Sequence, residues 1–378
     1  GRNVSIPIIY YVLAVTISLS YFYVYLVSMV WFVFYRCKET GDLLAAIIVF
    51  SLGSSSEIGT VKLIFMFVYI DKVRWIVSEC LACNSSVVPG SRFSDNLMVT
   101  LRQVKKRAMV FWLVIIGNGV VYVIKPLVTP GRHFSEDMFI LYGLEPMLET
   151  PNYQISFVLC GAGILYCCYL PANITAFVIV IVGYIEAQML ALSEEITHIW
   201  EDAEEYYYTT QQNFRVMGEN EEQTNGKYQI LNKYVEKQLK RIIISHGRII
   251  NLMREVEHAF RGAMALEYFL LVLGLILELL GGLEKTYLEL PFALMLVGMD
   301  CFTGQRLLDA SVTFKHAVYD SKWEKYNLKN MKTVLIMLQS SQKLMQLSAG
   351  GMISLDFCCL MQVIRSTYSA YTTLRTTM

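Results

Sequence analysis

The stretch VSIPIIYYVLAVTISLSYFYVYLVSMVWFVFY, Val4–Tyr35, carries no Asp, Glu, Lys or Arg. A helix needs about 20 mostly apolar residues to cross a bilayer, and this run exceeds that length. It is too long for the apolar region of a signal peptide and lacks the small-residue end at which such peptides are cleaved. It therefore reads as a transmembrane helix. The chain opens on Gly1 rather than Met, so a preceding N-terminal piece is expected.

Working outward, similar runs follow along the chain. They lie between Asp42 and Asp71, broken by Glu57 and Lys62; from Ala108 to about Leu127; and from about Ile155 to Ile185. Three more run from Arg261 to Gly281 with Glu267 and Glu278, from near Leu290 past Asp300, and from near Ile353 with Asp356 and Arg365. The expected fold is all-α and polytopic, with seven transmembrane helices. Apolar residues at 55% and charged residues at 17% agree, against roughly 45–50% and about 25% in soluble domains. Lys+Arg and Asp+Glu balance at 32 each, so no polyanionic partner is implied. A nucleic-acid binder, a soluble enzyme and a disordered scaffold are set aside.

The basic residues are unevenly distributed. Residues 71–107 hold seven, 186–261 hold nine and 306–345 hold seven. The intervening loops hold five: Arg36, Lys38, Lys125, Arg132 and Lys285. Lys and Arg favour cytoplasmic loops, so twenty-three against five predicts a cytoplasmic N-terminus and an extracellular C-terminus. The expected organisation is spans 1–4 over 1–185, with a cytoplasmic loop at 71–107 and an extracellular loop at 128–154. Cytoplasmic helical extensions follow at 186–260, spans 5–6 at 261–314, an anchor helix at 315–350 and a final helix at 351–378.

Within the extensions, an acidic part (Glu194 to Glu205) precedes breakers at Gly218, Asn220, Asn225 and Gly226. A basic amphipathic segment then runs from Tyr228 to Glu257, with Ile230, Leu231, Tyr234, Leu239, Ile242, Ile249 and Leu252 at helical spacing. A further helix is expected over Trp323–Leu347, and its apolar face needs a partner. The loop from Pro130 to Pro151 is expected to cap a vestibule.

The sequence holds no catalytic or cofactor motif: no P-loop, no GxSxG and no HExxH. Cys80 and Cys83 form a lone CxxC, which without a second pair is weak support for zinc. The sequons at Asn3, Asn84 and Asn173 fall inside or within a span under this topology. Glu267, Glu278, Asp300, Asp356 and Arg365 read either as ion pairs or as an aqueous path along the last three spans. On the last helix, Cys359, Gln362, Ser366, Ser369 and Thr373 form a small polar stripe suited to helix contacts or a wet lumen.

The run from Met337 to Arg375 resembles that of insect odorant receptors. MLQSSQKLMQLSAGG matches the family's cytoplasmic helix and turn, and STYSAYTTLR (Ser366–Arg375) its terminal motif. Pro151-Asn152-Tyr153 before the fourth span is also similar, whereas Leu344 stands where many members have Pro. The chain's length resembles that of a ligand-tuning subunit rather than the co-receptor (Orco).

The resemblance implies a ligand-gated, nonselective cation channel of four subunits, assembled with the co-receptor in the plasma membrane of olfactory sensory neurons. It implies a final helix around the pore, with Leu360, Ile364, Thr367, Tyr371, Leu374 and Arg375 on the gating face, opposite the polar stripe. It implies no cofactor, and a small volatile ligand in the outer half of the bundle. For that pocket the candidates are Ile47, Phe50 and Ser54 on the second span, and Ile115, Asn118 and Tyr122 on the third. Ile164 and Cys168 on the fourth and Phe292, Met295 and Met299 on the sixth complete them. A seven-helix receptor acting through a cytoplasmic transducer and a small-molecule transporter are the alternatives.

Overall fold

In the computed structural model, which describes residues 7–217 and 225–377, apolar sequence becomes helix almost throughout. With no water in a bilayer core, backbone groups must be satisfied within the segment, and a helix does this. The first helix, α1, spans Ile8–Thr40 and loosens to π geometry at Phe22–Ser28 and Phe32–Arg36. Gly41, at φ +72°, ends it, and the Asp42 side chain caps α2 (Leu43–Val68) by accepting from the Ala45 N–H at 3.0 Å. That cap satisfies one of the amides a helix start leaves open. Next come α3 (Ile70–Ser85), α4 (Arg92–Val128), α5 (Asn152–Thr197) and α6 (Ile199–Met217). They are followed by α7 (Asn225–Gly281), the short α8 (Leu283–Thr286), α9 (Glu289–Tyr319) and α10 (Leu328–Ser341). A hairpin of β1 (Ser348–Ala349) and β2 (Ile353–Ser354) precedes α11 (Phe357–Thr377).

Among the described residues, five helices, namely α1, α2, α4, α5 and α7, are long and apolar enough to cross a membrane. Their outward faces carry apolar side chains such as Ile8, Phe67, Val128 and Val158, each more than half exposed. Contiguous apolar surface of this kind needs lipid or protein against it. The chain is a multi-pass membrane protein. In the bundle, α4 and α9 lie along α5, and α2 lies along α7.

The expected extensions are continuous with their spans: α5 and α7 run 46 and 57 residues. The expected boundaries at 185/186 and 260/261 therefore fall inside unbroken helices. Leu231, Leu239, Ile242, Ile249 and Leu252 are buried, whereas Ile230 of the same expected set is exposed and Tyr234 is half-buried. At that end Asn232 of α7 holds α10: its Oδ1 accepts from the Asn327 backbone at 2.7 Å and from Asn330 Nδ2 at 3.2 Å.

Three expectations need correction or relocation. The helix over Trp323–Leu347 is instead a 3₁₀ turn at Trp323–Lys325, then α10 ending at Ser341. The last helix starts at Phe357 rather than near Ile353, because the Gly350-Gly351 pair, both at positive φ, turns the chain into the hairpin. Asn3 and the breakers Gly218 and Asn220 lie outside the described residues.

Two of the acidic residues expected in spans, Glu267 and Asp300, meet Lys62 in one buried cluster. Lys62 Nζ lies 2.7 Å from Glu267 Oε1 and 3.9 Å from Asp300 Oδ2, and donates to Thr175 Oγ1 at 2.5 Å. Four helices thus meet at one buried lysine. Asp356 accepts from the Cys359 N–H at 2.8 Å and caps α11.

Candidate functional site

The cavity of interest lies at the loop end of the bundle, between α1, α2, α4, α5 and the first turn of α9. Its volume is about 70 Å³. Its apolar wall is Val24, Tyr25, Leu52, Ile164 and Phe292, and the loop after α4 roofs it with Phe134, Phe139 and Met147. All of these but Phe292, which belongs to the main core of the bundle, form a separate apolar cluster.

The roof is held by short-range polar contacts. Asp137 accepts from the Phe134 N–H at 2.7 Å, and Ser135 donates to the Tyr122 carbonyl at 2.8 Å. Arg132 donates to the Leu148 carbonyl at 2.6 Å, and the Tyr142 N–H donates to Ser28 on α1 at 3.3 Å. The loop expected to be a cap is thus fastened to itself and to α1.

The polar part of the lining is acidic. Glu289 Oε2 accepts from Ser51 at 3.0 Å, while its Oε1 has no partner. The Tyr122 hydroxyl and Ser55 Oγ are likewise buried and unpartnered. Asn118, one turn before Tyr122, donates to the Leu288 carbonyl at 2.9 Å and ties α4 to the start of α9. Glu136 lies in the roof, where burial pushes its carboxyl up to about 7 against the opposing pull of Lys125.

Of the residues expected in a pocket, Asn118, Tyr122, Ile164, Cys168 and Phe292 line this cavity. The others do not. Phe50 faces outward against Phe34 on α1, and Ile47 is half-buried off the cavity wall. Ser54 donates to the Ser51 carbonyl and packs near Gly274 of α7, so the inward face of α2 is Leu52, Ser55 and Ser56. Ile115 is wholly buried in the main core, and Met295 and Met299 pack against that same core. Glu289 and Glu136 were missed. Glu289 sits just before the apolar run that marked the sixth span, and only the capping role of the loop pointed towards Glu136.

On α11 the edge packed against the rest of the chain is Cys359, Val363 and Thr367 at four-residue spacing. Thr367 is therefore buried within its own subunit and is not on an open face, and Leu360 is half-buried against the core. Ile364 and Leu374 are exposed, and Tyr371 is half-buried and accepts from Arg375 Nη1 at 2.8 Å. Of the polar stripe, Cys359 is buried, while Gln362, Ser366, Ser369 and Thr373 are exposed.

The family model described as "7tm Odorant receptor" matches residues 42–368. This chain belongs to that family. Among solved structures, the odorant receptor resembles the insect olfactory receptor OR5 from Machilis hrabei with a TM-score of 0.75 at 12% identity, over 97% of this chain and 88% of that one. The same receptor in complex with eugenol matches with a TM-score of 0.74 at 12% identity, over 98% and 89% of the two chains. At that identity the likeness speaks for the fold. No curated protein matches the sequence. The family is one of receptors rather than enzymes.

Proposed function

We propose that this odorant receptor is a subunit of an odorant-gated, nonselective cation channel. A small volatile molecule binds in the cavity beneath the roof loop, and the last helix lines the pore. The observation that carries the reading is α11. It is packed along one edge only, leaving on one side Ile364, Tyr368 and Arg375 and on the other Gln362, Ser366, Ser369 and Thr373 exposed. A spanning helix with two open faces, one of them polar, suits a position between neighbouring subunits and a lumen.

The face with Ile364, Tyr368, Tyr371 and Arg375 lines the pore, where an apolar constriction gates by dewetting. The polar face contacts the neighbouring subunit. Seven spans with the N-terminus inside agree with the loop charges, and the α6, α7 and α10 extensions then form a cytoplasmic anchor. Partners are the co-receptor in a tetramer, membrane lipids and the permeating cations, at the plasma membrane of olfactory sensory neurons. The eugenol complex of the Machilis receptor supports a small volatile ligand.

Ligand shifts the open population only by binding the open state more tightly than the closed one. The test is ligand-evoked current from cells expressing the chain with and without the co-receptor. Ile164→Trp, which fills the cavity, is expected to abolish the response while surface expression persists. A full response from that variant would refute the ligand site.

A further inference from the structure

Glu289 is 3% exposed and keeps one carboxylate oxygen without a donor, although it lines the cavity. The Tyr122 hydroxyl, also on the lining, is equally without a partner. Glu136 and Glu278 lie within electrostatic reach of Glu289, and both Glu278 oxygens are buried and unpartnered. No Lys, Arg or His is found on the lining among the described residues. The cation that faces Glu136, Lys125, stands outside the cavity, donating to the Ser135 carbonyl at 3.5 Å and lying over the Tyr287 ring.

Buried polar atoms left unpaired cost free energy, and a ligand that supplies the missing partners recovers it. The Glu289 oxygen lacks a donor, whereas the Tyr122 hydroxyl can either donate or accept. An aldehyde, ketone or ester offers only acceptors, and a carboxylate adds charge of the same sign. A protonated amine offers three N–H donors and the opposite charge, and charge-assisted hydrogen bonds are the strong ones. The volume sets the size. About 70 Å³ is roughly half of the 150 Å³ or so that accommodates benzene, which restricts the alkyl part to a short chain unless the lining moves.

We propose that the cavity is selective for small primary alkylamines in their protonated form. The ammonium meets Glu289 and the Tyr122 hydroxyl, and the alkyl chain packs on Phe292, Ile164 and Val24. This rests on the reading of the cavity as the ligand site.

The test is the thermal shift of the purified full chain in lipid nanodiscs with n-butylamine, n-butanol, butanal and butanoate, since a ligand that binds the folded state stabilises it. The amine is expected to give the largest shift and butanoate none. Glu289→Gln is expected to weaken the amine about tenfold or more, as loss of a hydrogen bond to a charged group implies, and to leave butanol within about twofold. Equal shifts from butylamine and butanol, or no loss in Glu289→Gln, would overturn the amine assignment while leaving the cavity as the ligand site. An amine shift that survives Ile164→Trp would instead overturn the cavity reading itself. No amine shift at all overturns the proposal. If Glu289→Gln fails to fold, Glu289→Asp supplies the same comparison, its shorter side chain drawing the carboxylate back and weakening the amine more than the butanol.

Discussion

Replacing Lys62 with Met removes the one cation in a buried cluster that joins α2, α5, α7 and α9. Lys62 is 4% exposed, and the Glu267 and Asp300 side chains it faces are 0% and 3% exposed. At 2.7 and 3.9 Å, and with an effective dielectric constant near 20, the Coulomb attractions are about 6 and about 4 kcal/mol. Desolvation of three ions cancels much of this, so the cluster contributes little net stability as a whole. Removing one member is different, because the remaining carboxylates stay buried and unpaired. That costs about 3–5 kcal/mol. Lys62→Met is expected to unfold at correspondingly lower denaturant in a purified, detergent-solubilised preparation. Adding Glu267→Gln and Asp300→Asn to Lys62→Met should restore most of the loss. In a double-mutant cycle, Lys62 and Glu267 should couple by about 2 kcal/mol or more, well beyond the few tenths at which distant sites add. Coupling below about 0.5 kcal/mol would refute the argument that these charges compensate one another.

Other outcomes follow from single positions. A Cβ at Gly304 of α9 would overlap the Leu355 carbonyl at the foot of α11, whereas one at Gly298 meets nothing; Gly304→Ala should abolish ligand-evoked current, and Gly298→Ala should not. Asn232→Ala leaves the Asn327 N–H without its acceptor, while Asn330 Nδ2 keeps the Asn232 backbone carbonyl at 2.9 Å, and should destabilise by about 1–3 kcal/mol, read as faster hydrogen exchange at the start of α10. Glu136, with its carboxyl near 7, faces Lys125 and Asp137 and lies close to Tyr122 and Glu289. Between pH 6 and 8 its ionised fraction rises about tenfold while an alkylamine, like Lys, stays protonated. Amine potency should therefore rise over that range, and butanol potency and the Glu136→Gln variant should show no such rise. Because burial raises the folded value above that of the unfolded chain, Glu136 also lowers stability as pH rises from about 4 through 7.

How much was legible depended on what each residue's role required. The uncharged run from Val4 to Tyr35 could be nothing but an apolar helix, and the 3.6-residue spacing of Leu231, Leu239 and Ile242 dictated a buried face whatever packed on it. Glu267 and Asp300 were visible as costly charges, but their partner, Lys62, lies on a helix far away in the sequence, and periodicity carries no information about which helices meet. The same limit separates Asn118 and Tyr122, which line the cavity, from Phe50 and Ser54, which do not. A one- or two-residue error in the rotation of α2 turned these two away and left Ser55 and Ser56 unnoticed. Thr367 failed for a related reason. A motif aligns residues along a helix, but the edge that packs inward is fixed by α7 and α9. The hairpin at Ser348–Ser354 depended on the Gly350-Gly351 turn, which in a helical context gives only a weak signal.

The central claim is that the last helix of this odorant receptor lines a cation pore gated from the cavity. The most direct test is the relative cation permeability of ligand-evoked current in cells expressing the chain with the co-receptor, compared between wild type, Tyr371→Ala and Ser369→Ala. The account predicts that Tyr371→Ala alters selectivity or leaves the channel conducting without ligand, while Ser369→Ala leaves both unchanged. A change in selectivity from Ser369→Ala alone would put the pore on the opposite face of α11. Currents in both variants that keep wild-type selectivity and still require ligand would place the ion path elsewhere.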